Sequence, residues 1–488
     1  MTAGRTASGA SGALPPHAGW PRWRVFPPVA LGVVMATLDA SVVNIALPAL
    51  QRAWHAGLSA VEWVALASSL TLTGLLLAAG RLADARGRRR VYAAGLVVFT
   101  VASVLCGLAP LLGSLIALRV LQGLGAALLA ANGSALLVQA FPLEERGRAL
   151  GAFGAMVGVG LAAGPPLGGL LVEHGSWRLI FLVNLPLGVL AFVLLRRLVP
   201  RDPAPTASAR AAEGQSALPP LLWASALSAI MLALTRGPER GWASPAVIAL
   251  AAAGVTLLVA FLASQARARA PLLPLGDVAG PLGAAVTLTF LSQVLGVSVG
   301  FALPMLLEGV YGLGPARSGA WLAVLPLAAL FCAPVAGRLA DRLGSHRLTV
   351  TGMLMTAAGL WLLAMPGGSD TGMPLASALL LVGVGLGLFA VPNASALLSL
   401  VPAERLGLAT GLQGTARNLG LAAGVAVTGA MLTGRYRAYA GTTLSLGAPG
   451  PLDPQAFSTA FREATALFAV VALAAAGLAW TVRLPSRR

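Results

Sequence analysis

Residues 26–50 read FPPVALGVVMATLDASVVNIALPAL, an apolar stretch that holds one ionisable residue, Asp39. About 20 apolar residues at roughly 1.5 Å each cross the hydrocarbon of a bilayer, so this stretch is long enough to span one. It also puts a carboxylate inside the span. An ionised Asp at the centre of such a helix costs about 2.5–3.5 kcal/mol on insertion scales, so it is rare there without a partner or a task. The functional reading makes Asp39 a proton or substrate site. The plainer reading makes it a structural Asp that holds a neighbouring helix by hydrogen bonds.

The rest of the chain fits a membrane setting. Of its 488 residues 57% are hydrophobic and only 10% charged, and the mean hydropathy is +0.83. A soluble protein of this size could not hide so much apolar surface. A net charge of +17 would suggest nucleic acid in a soluble chain. Here the basic residues crowd into alternate loops, the positive-inside pattern, and no nucleic-acid partner is expected. All 33 of them are Arg. Without Lys there is neither a phosphate-binding P-loop nor Schiff-base chemistry. Uphill work by this chain would then draw on an ion gradient, with no cofactor.

Cys106 and Cys332 lie within apolar spans, and His17, His55, His174 and His346 lie in loops or tails without ligand spacing. No metal site is expected. A membrane enzyme should show His, Glu or Cys clusters inside its spans. A receptor or scaffold should carry a large soluble domain. Neither pattern is present.

Apolar stretches fall near 25–50, 61–82, 91–110, 112–139, 149–172, 177–198, 218–235, 245–264, 279–307, 318–338, 348–365, 374–399, 407–432 and 463–484, about fourteen helices. The expected layout is a disordered cytoplasmic tail at 1–24 and a six-helix bundle at 25–198. A cytoplasmic linker at 199–217, two extra transmembrane helices at 218–264 and a second six-helix bundle at 279–484 follow. An even count puts both termini on one side, and the Arg bias makes that side the cytoplasm. No short apolar core with a cleavage site precedes the first span, so no signal peptide is expected.

The chain repeats itself. GRLADARGRRR at 80–90 returns as GRLADRLGSHR at 337–347, FPLEERGRALG at 141–151 as VPAERLGLATG at 401–411, and NGSALL at 132–137 as NASALL at 393–398. Offsets near 260 mark a duplicated half rather than a short-period array. Two parallel repeats with a site between them at mid-membrane is a common transporter plan.

These motifs resemble the major facilitator superfamily and, within it, the 14-helix drug:proton antiporters. The resemblance runs from Phe26 to Leu484. It implies an all-α fold of two six-helix repeats plus two central helices, alternating access, and a multi-pass location in the inner (plasma) membrane. GRLADARGRRR is similar to the family's loop between helices 2 and 3, filled by Gly80, Asp84, Gly87, Arg88 and Arg89. Its second copy keeps Gly337, Asp341 and Gly344. The glycines allow a tight turn, Asp84 can cap a helix N-terminus, and the arginines sit on the anionic leaflet. The resemblance makes this loop a cytoplasmic gate centred on Asp84.

RVLQGLG at 119–125 resembles the family's helix-4 motif. Counting 1.5 Å per residue puts Asp39 about 16 Å and Arg119 about 12 Å from the same face. The two can pair, and Arg119 is expected to set how readily Asp39 takes a proton. Thr37, Ser41, Asn44 and Pro48 form a polar stripe on helix 1, and Asp39 lies 140–200° around the helix from it at about 100° per residue. The carboxylate and the stripe cannot face one cavity, and spacing does not choose between them.

In helix 5, Gly160, Gly164, Pro165, Gly168 and Gly169 resemble the antiporter motif, implying a seal and pivot that favours export. Packing alone is the plainer reading. WRLIFLVNLPLG at 177–188 resembles the helix-6 start of the 14-helix group, with Trp177 in the outer aromatic belt. Glu62 and Glu308 are departures near the external mouth that could attract cations or take a second proton, and the plainer reading makes each a solvated interfacial carboxylate. Arg417, beside Asn418 in helix 13, is a second cation inside a span. The resulting expectation is a monomeric, proton-coupled exporter of amphipathic small molecules in a lipid bilayer. Uptake or exchange of a small metabolite by the same fold is the alternative.

Overall fold

The structure, a computed structural model, describes residues 22–482 apart from loop residues 57, 143–144, 175, 203–217, 269–270, 272, 274–275, 277–279, 314, 366–371, 403–404 and 442–452. The proposed tail up to residue 21 and most of the linker lie outside the described residues. Every regular element among those described is helical.

Among the described residues fourteen long helices follow one another. They are α1 (Phe26–Trp54), α2 (Trp63–Arg86), α3 (Arg88–Gly107), α4 (Leu112–Ala140), α5 (Arg146–His174), α6 (Asn184–Leu198), α7 (Leu218–Arg240) and α8 (Pro245–Arg267). Then come α9 (Pro281–Gly309), α10 (Pro315–Leu343), α11 (Ser345–Ala364), α12 (Met373–Ser399), α13 (Leu406–Ala440) and α14 (Pro454–Thr481).

Among the described residues thirteen spans, one joining α6 to the short turn Leu179–Leu182, are long and apolar enough to cross a membrane. The exception is α13, which is 35 residues long but carries Gln413, Arg417 and Asn418 in its apolar part. Exposed apolar rows mark surfaces that water would not tolerate. On α3, Val97, Val101 and Leu105 form such a row, continued by Leu108 just past its end.

The two halves pack by one plan. In the first, α1 lies against α5 and α6, α3 against α4 and α6, and α2 against α4. In the second, α9 lies against α13 and α14, α11 against α12 and α14, and α10 against α12. Adding eight to each helix number converts one pattern into the other, so the sequence repeat is a structural one. The halves meet where α2 packs on α13 and α5 on α10.

The extra pair breaks this symmetry. Helices α7 and α8 pack on each other, joined by Trp223 and Phe261 with ring centroids 5.0 Å apart. Helix α7 also lies on α2 and α13, and so covers only one of the two seams between the halves.

The repeated loop depends on glycine. Gly87 (φ 96°) joins α2 to α3, and Gly344 (φ 86°) joins α10 to α11. Both need the left-handed region that a side chain disfavours. Asp202 then caps α3, accepting from the Arg89 and Arg90 amides at 3.0 Å each.

Candidate functional site

Asp39 is buried, and three donors converge on it. Arg119 Nη1 of α4 donates to Oδ2 at 2.6 Å. Gln122 Nε2, one turn on, donates to Oδ1 at 2.8 Å. Asn184 Nδ2, at the start of α6, donates to the same oxygen at 3.1 Å. The shell around them is satisfied except at Asn184 Oδ1, which is buried without a partner. Arg119 Nη1 reaches Gln122 Oε1 at 2.6 Å and its Nε reaches the Val64 carbonyl of α2 at 2.7 Å. Gln122 Nε2 also donates to Ser103 Oγ of α3 at 2.7 Å. The guanidinium lies over the Phe181 ring, 5.7 Å from its centroid.

The depth argument therefore holds: Asp39 and Arg119 form an ion pair. Five helices of the first half supply the network. Sequence reasoning assigned no role to Gln122, Ser103 or Asn184. Gln122 stood in a quoted motif three residues after Arg119, a spacing that places both on one helix face. Nothing in the spacing could give Ser103, since the rotation of α3 decides where it points.

The two faces of α1 have separate occupants. Asp39 turns into the first bundle, whereas Thr37 and Ser41 turn onto α5. Ser41 Oγ donates to the Leu161 carbonyl at 3.1 Å. A Cβ on Gly160 would overlap Thr37 Oγ1, and one on Gly164 would overlap Ser41. These two antiporter-motif glycines are a helix–helix contact. Gly168 is buried, the side chain of Pro165 lies outside the described residues, and a Cβ on Gly169 would meet nothing within 4 Å. Gly164→Ala is thus expected to destabilise by about 1–3 kcal/mol through overpacking, and Gly169→Ala to be near neutral. Thermal unfolding in detergent checks this, and equal losses would contradict the contact.

At the other end of α2 the halves touch backbone to backbone. A Cβ on Gly80 would strike the Gly407 carbonyl oxygen of α13, and one on Gly407 would strike the Gly80 carbonyl oxygen. The second seam is its mirror: a Cβ on Gly337 of α10 would strike the Gly147 carbonyl oxygen of α5. Gly80 and Gly337 are repeat partners, as are Gly147 and Gly407.

Asp84 closes the first seam. Its Oδ1 accepts from the Gly407 amide at 3.0 Å and its Oδ2 from the Leu408 amide at 3.2 Å. It caps α13, where a carboxylate meets unsatisfied N–H groups and the positive dipole end. Arg88 Nη2 donates to Oδ1 at 2.8 Å and its Nη1 to Gln139 Oε1 at 3.2 Å. Thr410 adds a bond to the Ala131 carbonyl of α4. Arg89 Nη2 turns to the Arg196 carbonyl at 3.3 Å. The side chain of Asp341 lies outside the described residues.

Loss of a cap costs about 0.5–2 kcal/mol, so Asp84→Ala is expected to loosen this seam. The rate at which a thiol reagent reaches a Leu76→Cys position should rise about two- to thirtyfold, at roughly 1.4 kcal/mol per tenfold. An unchanged rate would contradict a closing role for Asp84.

The acidic pair of the opposite end is not brought together. Glu62 stands at the start of α2, with Arg236 Nη1 of α7 at 3.8 Å from its Oε2. Glu308 stands exposed near the end of α9, in the other half. Trp177 differs from the expected interfacial anchor. It is buried, with the Trp54 ring 4.7 Å and the Phe181 ring 6.3 Å away. Asn418 Nδ2 donates to Thr73 Oγ1 of α2 at 3.0 Å.

A family model described as Major Facilitator Superfamily matches residues 29–425 and, in a second match, residues 282–488. The tetracenomycin C resistance and export protein of Streptomyces glaucescens is 34% identical over 415 residues, covering 85% of this chain and 76% of that one. The puromycin resistance protein pur8 of Streptomyces alboniger is 35% identical over 473 residues, covering 94% and 91%. The riboflavin transporter RibZ of Clostridioides difficile is 33% identical over 416 residues, covering 83% and 87%. Among solved structures, the human organic anion transporter MFSD10 superposes with a TM-score of 0.66 at 14% identity, covering 94% of this chain and 100% of that one. The proton:xylose symporter XylE gives 0.64 at 15%, covering 95% and 96%. At such identities the two structures speak for the fold.

Proposed function

This chain belongs to the Major Facilitator Superfamily, and we propose that it is a proton-coupled exporter of drugs, antibiotics or amphipathic secondary metabolites working by alternating access. The observation that carries the coupling is Asp39, a buried carboxylate held by Arg119, Gln122 and Asn184. Its relatives include resistance and export proteins, which favours export over the uptake alternative that a riboflavin transporter illustrates.

The cycle uses the two ends of the molecule in turn. With the Gly80–Gly407 and Gly147–Gly337 contacts closed, the cytoplasmic side is sealed. A proton from outside neutralises Asp39 and removes the charge that Arg119 was paired with. The first bundle can then repack against the second, and substrate leaves outward. On return, the proton passes to the cytoplasm, Asp39 pairs again and the seams close. A charge buried without its partner is costly, so protonation and repacking are coupled.

Glu62 is held beside Arg236 of α7, which leaves Glu308 as the exposed one of these two acids. In this reading it works in the inner membrane as a monomer, with both termini cytoplasmic and the proton gradient as its energy source.

The test is compound tolerance in a bacterium stripped of its own efflux pumps, expressing the wild type or Asp39→Asn at matched membrane levels. Protection by the wild type alone supports the proposal. Protection by neither, across a broad panel of antibiotics and dyes, overturns the efflux reading in favour of a metabolite carrier.

A further inference from the structure

The arginines buried among the described residues, Arg88, Arg119 and Arg236, each have an acidic partner, whereas Arg417, partly buried in α13, has none. Arg119 pairs with Asp39 at 2.6 Å, Arg88 with Asp84 at 2.8 Å, and Arg236 has Glu62 at 3.8 Å. Arg417 makes no hydrogen bond or ion pair among the described residues, and its Nε is buried without an acceptor. It lies 11 residues after Leu406, the first residue of α13, about 16 Å along the helix. That depth is the interior of the membrane, where an unpaired charge is expensive and marks a substrate or ion path.

Helix register says what Arg417 faces. Gly414, Arg417, Asn418, Leu421 and Val425 form a partly or fully exposed stripe at i, i+3, i+4, i+7 and i+11. On one flank, Cβ atoms on Gly411 and Gly414 would meet Leu76 of α2. On the other, a Cβ on Gly420 would meet Phe290 and Gln293 of α9, and one on Gly424 would meet Val294 and Val297. The stripe therefore looks into the space between α2 of the first half and α9 of the second. Asn418 is held in place by Thr73, and Arg417 is left free beside it. Asp39 lies inside the first bundle with its charge already matched, so the charge left unmatched between the halves is positive.

We propose that Arg417 is the anchor for an anionic group of the transported compound, an aromatic or amphipathic acid whose carboxylate or phenolate supplies the missing counter-charge. This rests on the exporter reading above and narrows it to organic anions over lipophilic cations. A guanidinium suits the task, since it stays charged and offers a planar fork of donors to a carboxylate.

Two xanthene dyes of similar size and opposite charge test it: fluorescein, an anion, and rhodamine 123, a cation. Proteoliposomes with an acidic lumen take up dye through exporters inserted inside-out, and Asp39→Asn vesicles give the background. The wild type should take up fluorescein faster than rhodamine 123. Arg417→Gln should lower the fluorescein-to-rhodamine ratio at least about tenfold, the usual size of a lost charge-assisted hydrogen bond, and Arg417→Lys should fall between. Size-exclusion elution and thermal unfolding confirm that each variant is folded.

Uptake of rhodamine 123 but not fluorescein by the wild type would overturn the anion site and leave the exporter reading standing. An unchanged ratio in folded Arg417→Gln would overturn it as well. Uptake of neither dye above the Asp39→Asn background would sink the exporter reading, and the anion site with it.

Discussion

Asp39→Asn is expected to abolish proton-driven transport while leaving the protein in the membrane. The amide keeps the shape of the carboxylate but carries no charge and takes no proton in the relevant range. It also leaves Arg119 as a buried cation without its ion partner. Removing one member of a buried pair costs about 3–5 kcal/mol, so the single variant should unfold at a lower temperature as well.

The two effects separate in a second variant. Asp39→Asn combined with Arg119→Gln removes both charges and should recover most of the stability, because replacing both partners of a pair by neutral groups is often close to neutral. It should recover none of the proton coupling. If the double variant transports with the wild-type dependence on the pH gradient, Asp39 is structural and the plainer reading of the sequence was the correct one.

The second large effect is expected at the seam between the halves. Gly407→Val places a branched side chain where the Gly80 carbonyl oxygen already stands. No rotamer relieves this clash, because it begins at Cβ, so α2 and α13 must separate. Overpacking of this kind costs about 1–3 kcal/mol. Charged to one state of a two-state equilibrium, that is a shift of roughly 5- to 150-fold away from the closed cytoplasmic side.

The variant should fold and bind substrate yet turn over slowly. In a background lacking Cys106 and Cys332, a Leu76→Cys position should react with an impermeant maleimide from the cytoplasmic side at least about tenfold faster than in the parent. Gly337→Val should act alike through the second seam, where it meets Gly147. A normal turnover rate and unchanged labelling in either variant would mean that these contacts do not open during transport.

The sequence made one part of the site legible by depth alone. Asp39 and Arg119 lie on helices running in opposite directions, and counting residues from a shared face brought them level. The duplicated loop was legible too, since Gly80 with Gly337 and Gly147 with Gly407 recur at offsets near 260. Depth does not give rotation, however. Ser103 and Asn184 join the network because α3 and α6 turn those residues inward, and side-chain spacing on one helix carries no information about its neighbours. For the same reason the polar face of α1 could not be assigned until Gly160 and Gly164 of α5 were found against Thr37 and Ser41.

Cap chemistry was half legible. An Asp in the last turn of a helix, just before a Gly, signals a capping carboxylate, but the helix it caps is α13, more than 300 residues away in sequence. Glu62 looked like a free acid at a mouth, and the extra helix α7 supplies Arg236 beside it. Trp177 looked interfacial, and Trp54 from α1 encloses it. In both cases the deciding neighbour comes from an element whose lateral position composition does not encode.

The most direct test of the central claim follows protons rather than drugs. Proteoliposomes carrying the wild type, or the stable Asp39→Asn and Arg119→Gln double variant, are loaded with a pH-sensitive dye and given a compound against which the wild type protects cells. If Asp39 carries the proton, the compound moves protons across the wild-type membrane and none across that of the double variant, although both proteins bind the compound. Equal proton movement in the two would contradict the account and place the coupling group elsewhere.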